Sequence, residues 1–347
     1  MTLLKSKRFW GLVLAVGLLV YCFYDFDFNA VITAILDINF WYLIPLIFME
    51  AFIAFVRAAR LKYLIDPCKK ISMNDLYPIY CIGMMANLLM PYLTGQVARI
   101  YLLSKKGHLK KTFLLTTTML EVLFDGLALI AIAIVISFFI VMPDEFKAWH
   151  FIVLSGFVLT AAAFLFWISR LKVKDDGMLS RFISKLPPRV ARKADDVKMS
   201  FISGLETLKS SKHFALVSLL SVLSWISQAC LVYILIRAFG FDISLWGAVL
   251  ITTAVTIMMT IVISPGNIGT FQAATVAAMK PFHIDKGPAL AFSFLLHIAV
   301  YLPPIILGAI FAFKEGLTLK QLKTEGEREA AAENNLDTHE SALNSGT

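Results

Sequence analysis

Charge is scarce in this sequence. Asp, Glu, Lys and Arg together make up only 16% of 347 residues, against 59% hydrophobic residues and a mean hydropathy of +0.76. A chain with so little polar material cannot clothe a soluble globule, so soluble enzymes and soluble binding modules are excluded in favour of a polytopic membrane protein. Cysteine is scarcer still. Cys22, Cys68, Cys81 and Cys230 are scattered, without a Cys-x-x-Cys pair, and indicate neither a disulfide framework nor a metal site. Also missing are a nucleophile motif, a metal-ligand cluster and a nucleotide- or aminoacyl-binding segment, and after Phe313 only a short polar stretch remains. The expectation is a non-enzymatic chain with no catalytic residue, no metal and no cofactor.

The charge that is present lies between apolar segments. A net charge of +8 so arranged points to anionic lipid headgroups as the acidic partner rather than nucleic acid. Lys5, Lys7 and Arg8 precede an apolar run at 9–24, whose bulky Tyr21, Phe23 and Tyr24 replace a cleavage site, so it reads as an uncleaved first span. Asp25, Asp27 and Asp37 then mark an outer loop. Further spans are expected at 40–56, 113–141, 151–169, 214–238 and 289–313, with an outer loop at 142–150 and a basic connector at 170–212. Within that connector Val197, Phe201, Leu205 and Leu208 fall on one helical stripe, suited to lying on the inner leaflet or to packing on the protein. On this arrangement 27 of the 32 Lys and Arg are inside, three (Lys147, Lys280, Lys286) outside, and two (Arg99, Arg237) in the membrane. The bias predicts six spans with both termini cytoplasmic and a disordered tail from 316 to 347.

Two apolar stretches are broken in the same way. Residues 76–103 carry Pro91 and Gly95, and residues 246–280 carry Pro265 and Gly269, each glycine four residues after its proline. Proline removes a backbone donor and glycine relaxes the backbone, so the chain must turn and leave unpaired backbone groups that lipid cannot satisfy. Both flanks of the first break are basic, which predicts a re-entrant hairpin opening to the cytoplasm; the second is predicted to open outward. The fold class expected is therefore all-α: about six transmembrane helices plus two re-entrant broken helices, in one membrane domain over 1–315. Its halves, 38–142 and 214–313, form an inverted repeat, the build of many secondary transporters.

Residues at the breaks are the candidate substrate-binding set: Asn87, Pro91, Gly95, Gln96, Arg99, Pro265, Gly266, Asn267, Gly269 and Gln272. Helix restarts there aim free N–H groups and positive dipole ends inward, which favours phosphate or another anion. Arg99 adds fixed charge of bidentate geometry; the competing reading has it snorkelling or paired with a membrane carboxylate. Glu121 and Asp125, four apart on one face, either relay protons or sit in fixed ion pairs with Arg99 or Arg237, and Glu50 is a third buried acid. Arg57 and Arg60, near an inner helix end, are expected to face headgroups. His297 and Gln228 read as interhelical hydrogen-bond partners, and the abundant aromatics as interfacial belts. Gln96 and Gln272 are expected to share one cavity.

The pattern Asn87-Leu-Leu-Met-Pro91-x-x-x-Gly95-Gln96-x-x-Arg99 resembles the first signature of the lysylphosphatidylglycerol synthetase transmembrane family, also called the flippase-like domain family. Val262-Ile-Ser-Pro265-Gly266-Asn-Ile-Gly269-Thr-Phe-Gln272 resembles its second, and Val56-Arg57-Ala-Ala-Arg60-Leu-Lys its basic end of span two. The family usually has Glu where this chain has Gln96 and often Arg-Glu where it has Phe271-Gln272. The resemblance implies a flippase-like protein of the bacterial inner membrane whose partner is a membrane phospholipid or polyprenyl-phosphate lipid. The alternatives are a membrane-embedded transferase and a subunit serving an envelope-biosynthesis enzyme.

Overall fold

A computed structural model describes residues 28–89, 94–139, 211–261 and 267–316. The expected spans at 9–24 and 151–169, the loop at 142–150, the connector stripe, almost all of the tail, and Pro91, Pro265 and Gly266 lie outside these residues. Within them the chain is helical: α1 (Phe28–Leu36), a 3-10 turn (Phe40–Tyr42), α2 (Leu43–Ile65), α3 (Met73–Leu89), α4 (Thr94–Gly107), α5 (Lys111–Phe139), α6 (Ser211–Ala238), α7 (Leu245–Ile261), α8 (Thr270–Met279), a second 3-10 turn (Lys280–Phe282) and α9 (Lys286–Lys314). Four of the helical stretches are long and apolar enough to cross a membrane: Phe40–Ile65, Lys111–Ile132, Lys212–Ala238 and Lys286–Lys314.

Two expectations need correction. Residues 28–36 form α1, which packs on α9, where an outer loop was expected. Its run Phe-Asn-Ala-Val-Ile-Thr-Ala-Ile-Leu holds no Gly or Pro to stop a helix. The second span does not end at 56 but runs to Ile65, carrying Arg57, Arg60 and Lys62 within the helix. Its far side is apolar and open, with Ile44, Ile47, Phe48, Phe52 and Phe55 all exposed. Such a stripe is costly in water and comfortable against acyl chains.

Helix ends sort to two sides. The start of α3 meets the end of α4, where Ile71 Cδ1 would lie 3.1 Å from a Cβ on Gly107. Lys106 of α4 pairs with Glu315 just past α9 at 2.5 Å, bringing that end to the same side. Opposite, the start of α7 meets the turn after α8, with the Phe282 ring 3.0 Å from a Cβ on Gly247, and Asn39 N–H donates to the Ala238 carbonyl at 3.2 Å, tying the start of α2 to the end of α6. Thus α2 and α6 are antiparallel and packed along one another.

Apolar packing divides into two main bodies. One gathers α6 to α9 around Leu235, Ile251, Phe271 and Phe292; the other gathers the end of α2 with α3, α4 and the start of α5 around Leu61, Leu76, Ile82 and Leu103. The broken pairs, α3 with α4 and α7 with α8, sit one in each.

Candidate functional site

Between the bodies lies a cavity of about 540 Å³, room for a headgroup-sized ligand. Its walls come from both halves. From α2 come Glu50, Arg57 and Arg60; from α3 and α4, Gly83, Asn87, Gly95, Gln96 and Arg99; from α5, Thr118, Glu121 and Asp125. Trp225 and Gln228 of α6, Thr252 and Thr256 of α7, Asn267 and Tyr301 are among the residues opposite.

One wall is a charged network. Glu50, Arg57 and Arg60 fall at near-helical intervals of seven and three residues, so the face of α2 opposite the lipid-facing stripe is the one that carries charge. Arg60, 2% exposed, grips Asp125 with both terminal nitrogens, one of these contacts being Nη2 to Oδ2 at 2.9 Å, and donates from Nη1 to Ser221 Oγ at 3.0 Å. Arg99 donates from Nη2 to Glu121 Oε2 and to Thr118 Oγ1 at 3.4 Å, and its guanidinium lies 5.2 Å from the centre of the Tyr80 ring. Glu121 Oε1 stands 3.7 Å from Arg60 Nη2, so this carboxylate bridges two arginines. Two positive and two negative groups from α2, α4 and α5 thereby neutralise one another, three of them buried, where an unpaired charge would be costly.

Of the two readings open for Arg99, Glu121 and Asp125, the ion pair is what the geometry contains, but its partners are Arg99 and Arg60. Arg237 is exposed in the last turn of α6, away from the network. Arg60 likewise does not face headgroups at a membrane surface. The fork of Asp125 and the hydroxyl of Ser221 hold it inside.

A second group of polar contacts belongs to the α7–α8 break. Gly269 caps α8 with φ +83°, a conformation that a Cβ would strain, and its N–H donates to Gln272 Oε1 at 2.8 Å. Gln272 Nε2 then faces His297 Nδ1 at 3.0 Å. Asn267, itself left-handed at φ +54°, donates from Nδ2 to Tyr301 Oη at 2.6 Å. Gln272 is thus fully used inside the protein, and it does not line the cavity, whereas Gln96 does. The expected pairing of the two glutamines fails because one of them closes a helix end. Gln272→Leu should lower stability by about 1–2 kcal/mol, the usual worth of a helix cap, while Gln272→Glu keeps the acceptor for Gly269 and should cost less. Denaturant titration of the two purified variants measures the difference.

Five buried polar atoms of cavity-lining residues have no hydrogen-bond partner among the described residues: Glu50 Oε2, Arg57 Nε, Arg60 Nε, Glu121 Oε1 and Trp225 Nε1. Arg57 lies with its guanidinium 5.9 Å from the Trp225 ring centre and is in no ion pair among those residues. Trp225, Tyr80 and Tyr301 went unnoticed as site residues because aromatics were assigned to interfacial belts. A signal was present on α6, where Ser221, Ser224, Trp225 and Gln228 stand at helical spacing and make one polar stripe.

The chain is similar to known membrane proteins. A UPF0104 membrane protein of Methanocaldococcus jannaschii is 25% identical over 249 residues, covering 70% of this chain and 99% of the relative. A second from that organism is 21% identical over 300 residues, 81% of this chain and 87% of the relative. A UPF0104 membrane protein of Methanothermobacter thermautotrophicus is 24% identical over 219 residues, 59% and 65% of the two chains. The family model described as the lysylphosphatidylglycerol synthase TM region matches residues 8–308, which hold both broken helices and every wall of the cavity, and the chain belongs to that family.

Proposed function

We propose that this membrane protein moves a phosphate-bearing lipid, of the anionic or polyprenyl-phosphate-linked class, between the leaflets of its membrane. The observation that carries the reading is a charged cavity that opens toward lipid. Val122 and Asn87 both line it, Val122 63% exposed and Asn87 exposed as well. A headgroup can therefore enter between α5 and the tip of α3 while its tails stay among acyl chains. Arg57, in no ion pair among the described residues, is the cation that meets the phosphate, and Arg99, held by Glu121, contributes positive field.

The same reading takes α3–α4 and α7–α8 as re-entrant pairs within six spans, both termini cytoplasmic, related as an inverted repeat. Its support lies in the packing. Exchanging α2 with α6, α3 with α7, α4 with α8 and α5 with α9 turns each contact into another that is made: α3–α9 into α7–α5, α2–α3 into α6–α7, α4–α5 into α8–α9 and α2–α9 into α6–α5. Rocking of such halves about a fixed site is how inverted repeats give alternating access.

Reconstitution into vesicles with acyl-chain-labelled phospholipids of several headgroups tests the reading. Movement of at least one lipid above the protein-free rate is expected, falling tenfold or more in Arg57→Gln, because a desolvated charged hydrogen bond is worth about 2–5 kcal/mol. Protein-free rates for every headgroup would overturn it.

A further inference from the structure

Resting on that reading for a phosphate-bearing lipid but departing from its anionic class, we propose that the headgroup accepted by the cavity carries a protonated amine beside its phosphate: the phosphate on Arg57, the amine on Glu50.

The charges in the cavity sort into two sets. Arg60, Arg99, Glu121 and Asp125 are consumed in their own neutral network. Arg57 and Glu50 remain, one cation and one acid on the same face of α2, seven residues and therefore about 10 Å apart along the helix axis. Neither is in an ion pair within 4 Å or a side-chain hydrogen bond among the described residues, and each acts on the other only through space. Glu50 is 2% exposed and turned to the cavity, so no bulk water compensates it. A ligand bearing phosphate alone would satisfy Arg57 and leave the Glu50 carboxylate as a desolvated like charge in the same space, an arrangement that repels it. A ligand bearing both groups pairs each pole and adds no net charge to a neutral interior. Gln228 and Trp225, which line the same stretch, supply neutral donors to the remaining phosphate oxygens.

The chemistry is that of a phosphate with a neighbouring ammonium, whether on a lipid or free in water. Purified protein, delipidated in detergent, would be titrated by native mass spectrometry with dioleoyl phosphatidylethanolamine, dioleoyl phosphatidylglycerol and soluble phosphoethanolamine. Phosphatidylethanolamine should be retained at roughly tenfold lower concentration than phosphatidylglycerol, the weight of one charge-assisted contact. Glu50→Gln, which keeps shape and removes charge, should bring the ratio close to one by weakening the ethanolamine lipid and strengthening the glycerol lipid. Arg57→Gln should weaken both. Soluble phosphoethanolamine displacing neither lipid identifies a membrane-borne ligand; displacement of both identifies the headgroup alone as sufficient, and either result leaves the amine assignment standing. Equal or tighter retention of phosphatidylglycerol by the unaltered protein overturns the proposal whether or not the Glu50 variant folds, as does a ratio unchanged by Glu50→Gln. If phosphatidylglycerol is moved in vesicles and phosphatidylethanolamine is not, this inference alone falls; if no lipid is moved, the transport reading falls with the binding preference still measured.

Discussion

Arg60→Ala is expected to destabilise the protein by about 3–5 kcal/mol, the usual result of removing one member of a buried ion pair. The reason lies less in the attraction lost than in what remains. Asp125 would keep its charge with its guanidinium partner gone, and Glu121 would keep only Arg99. Removing both members should be far milder. Arg60→Met with Asp125→Leu deletes a positive and a negative charge together, fills similar volume, and leaves the Arg99–Glu121 pair neutral. Unfolding of the unaltered protein, both single variants and the double variant in one detergent forms a complete cycle. A double variant no more stable than Arg60→Ala would show that the network is not the closed neutral set described above. A single-variant loss below about 1 kcal/mol would show that water reaches Asp125, whose side chain is 29% exposed, well enough to shield it.

Gly95→Ala should open the α3–α4 pair. A Cβ at this position would stand 2.2 Å from the Gly83 carbonyl oxygen, 2.4 Å from Asn87 Cβ and 2.5 Å from Asn87 N. Two of these three are backbone atoms, which cannot swing aside as a side-chain tip can. The helices must separate, and with them go Gln96 and Arg99 from the cavity wall. Overpacking usually costs about 1–3 kcal/mol and occasionally more; contact with backbone places this case at the upper end. Gly107→Ala is the matched control on the same helix, because the atom it meets is Ile71 Cδ1 at 3.1 Å, the free end of a flexible side chain. Thermal unfolding and lipid retention should both fall in the Gly95 variant and hold near the original values in the Gly107 variant. Equal behaviour of the two would remove the close approach of α3 and α4 as a determinant of the site.

Much of the architecture is written in the order of the residues. Low charge and long apolar runs require a membrane, and the four long apolar helices agree. The proline and glycine pairs mark where two of the apolar stretches are divided into separate helices, α3 from α4 and α7 from α8, since neither residue continues a helix without cost. Arg99 and Glu121 are identifiable as partners because a charge in an apolar segment needs an opposite charge or a polar cavity, and few are within reach.

Only the tertiary structure decided how those charges were shared. Counting basic residues places Arg57 and Arg60 at an inner membrane surface, because such counting follows position along the chain and cannot see that α2 continues past both to Ile65. Periodicity showed that α2 has two faces, but not that α5 and α6 bring Asp125 and Ser221 to the charged one. Gln96 follows its glycine directly and Gln272 follows its own at three residues, and one lines the cavity while the other caps α8, a difference set by that offset, the turn at Gly269 and the nearby His297. Sequence spacing determines which side chains share a helix face; which faces meet depends on contacts between residues far apart in the chain, and those alone place Glu50, Arg57 and Trp225 around one space.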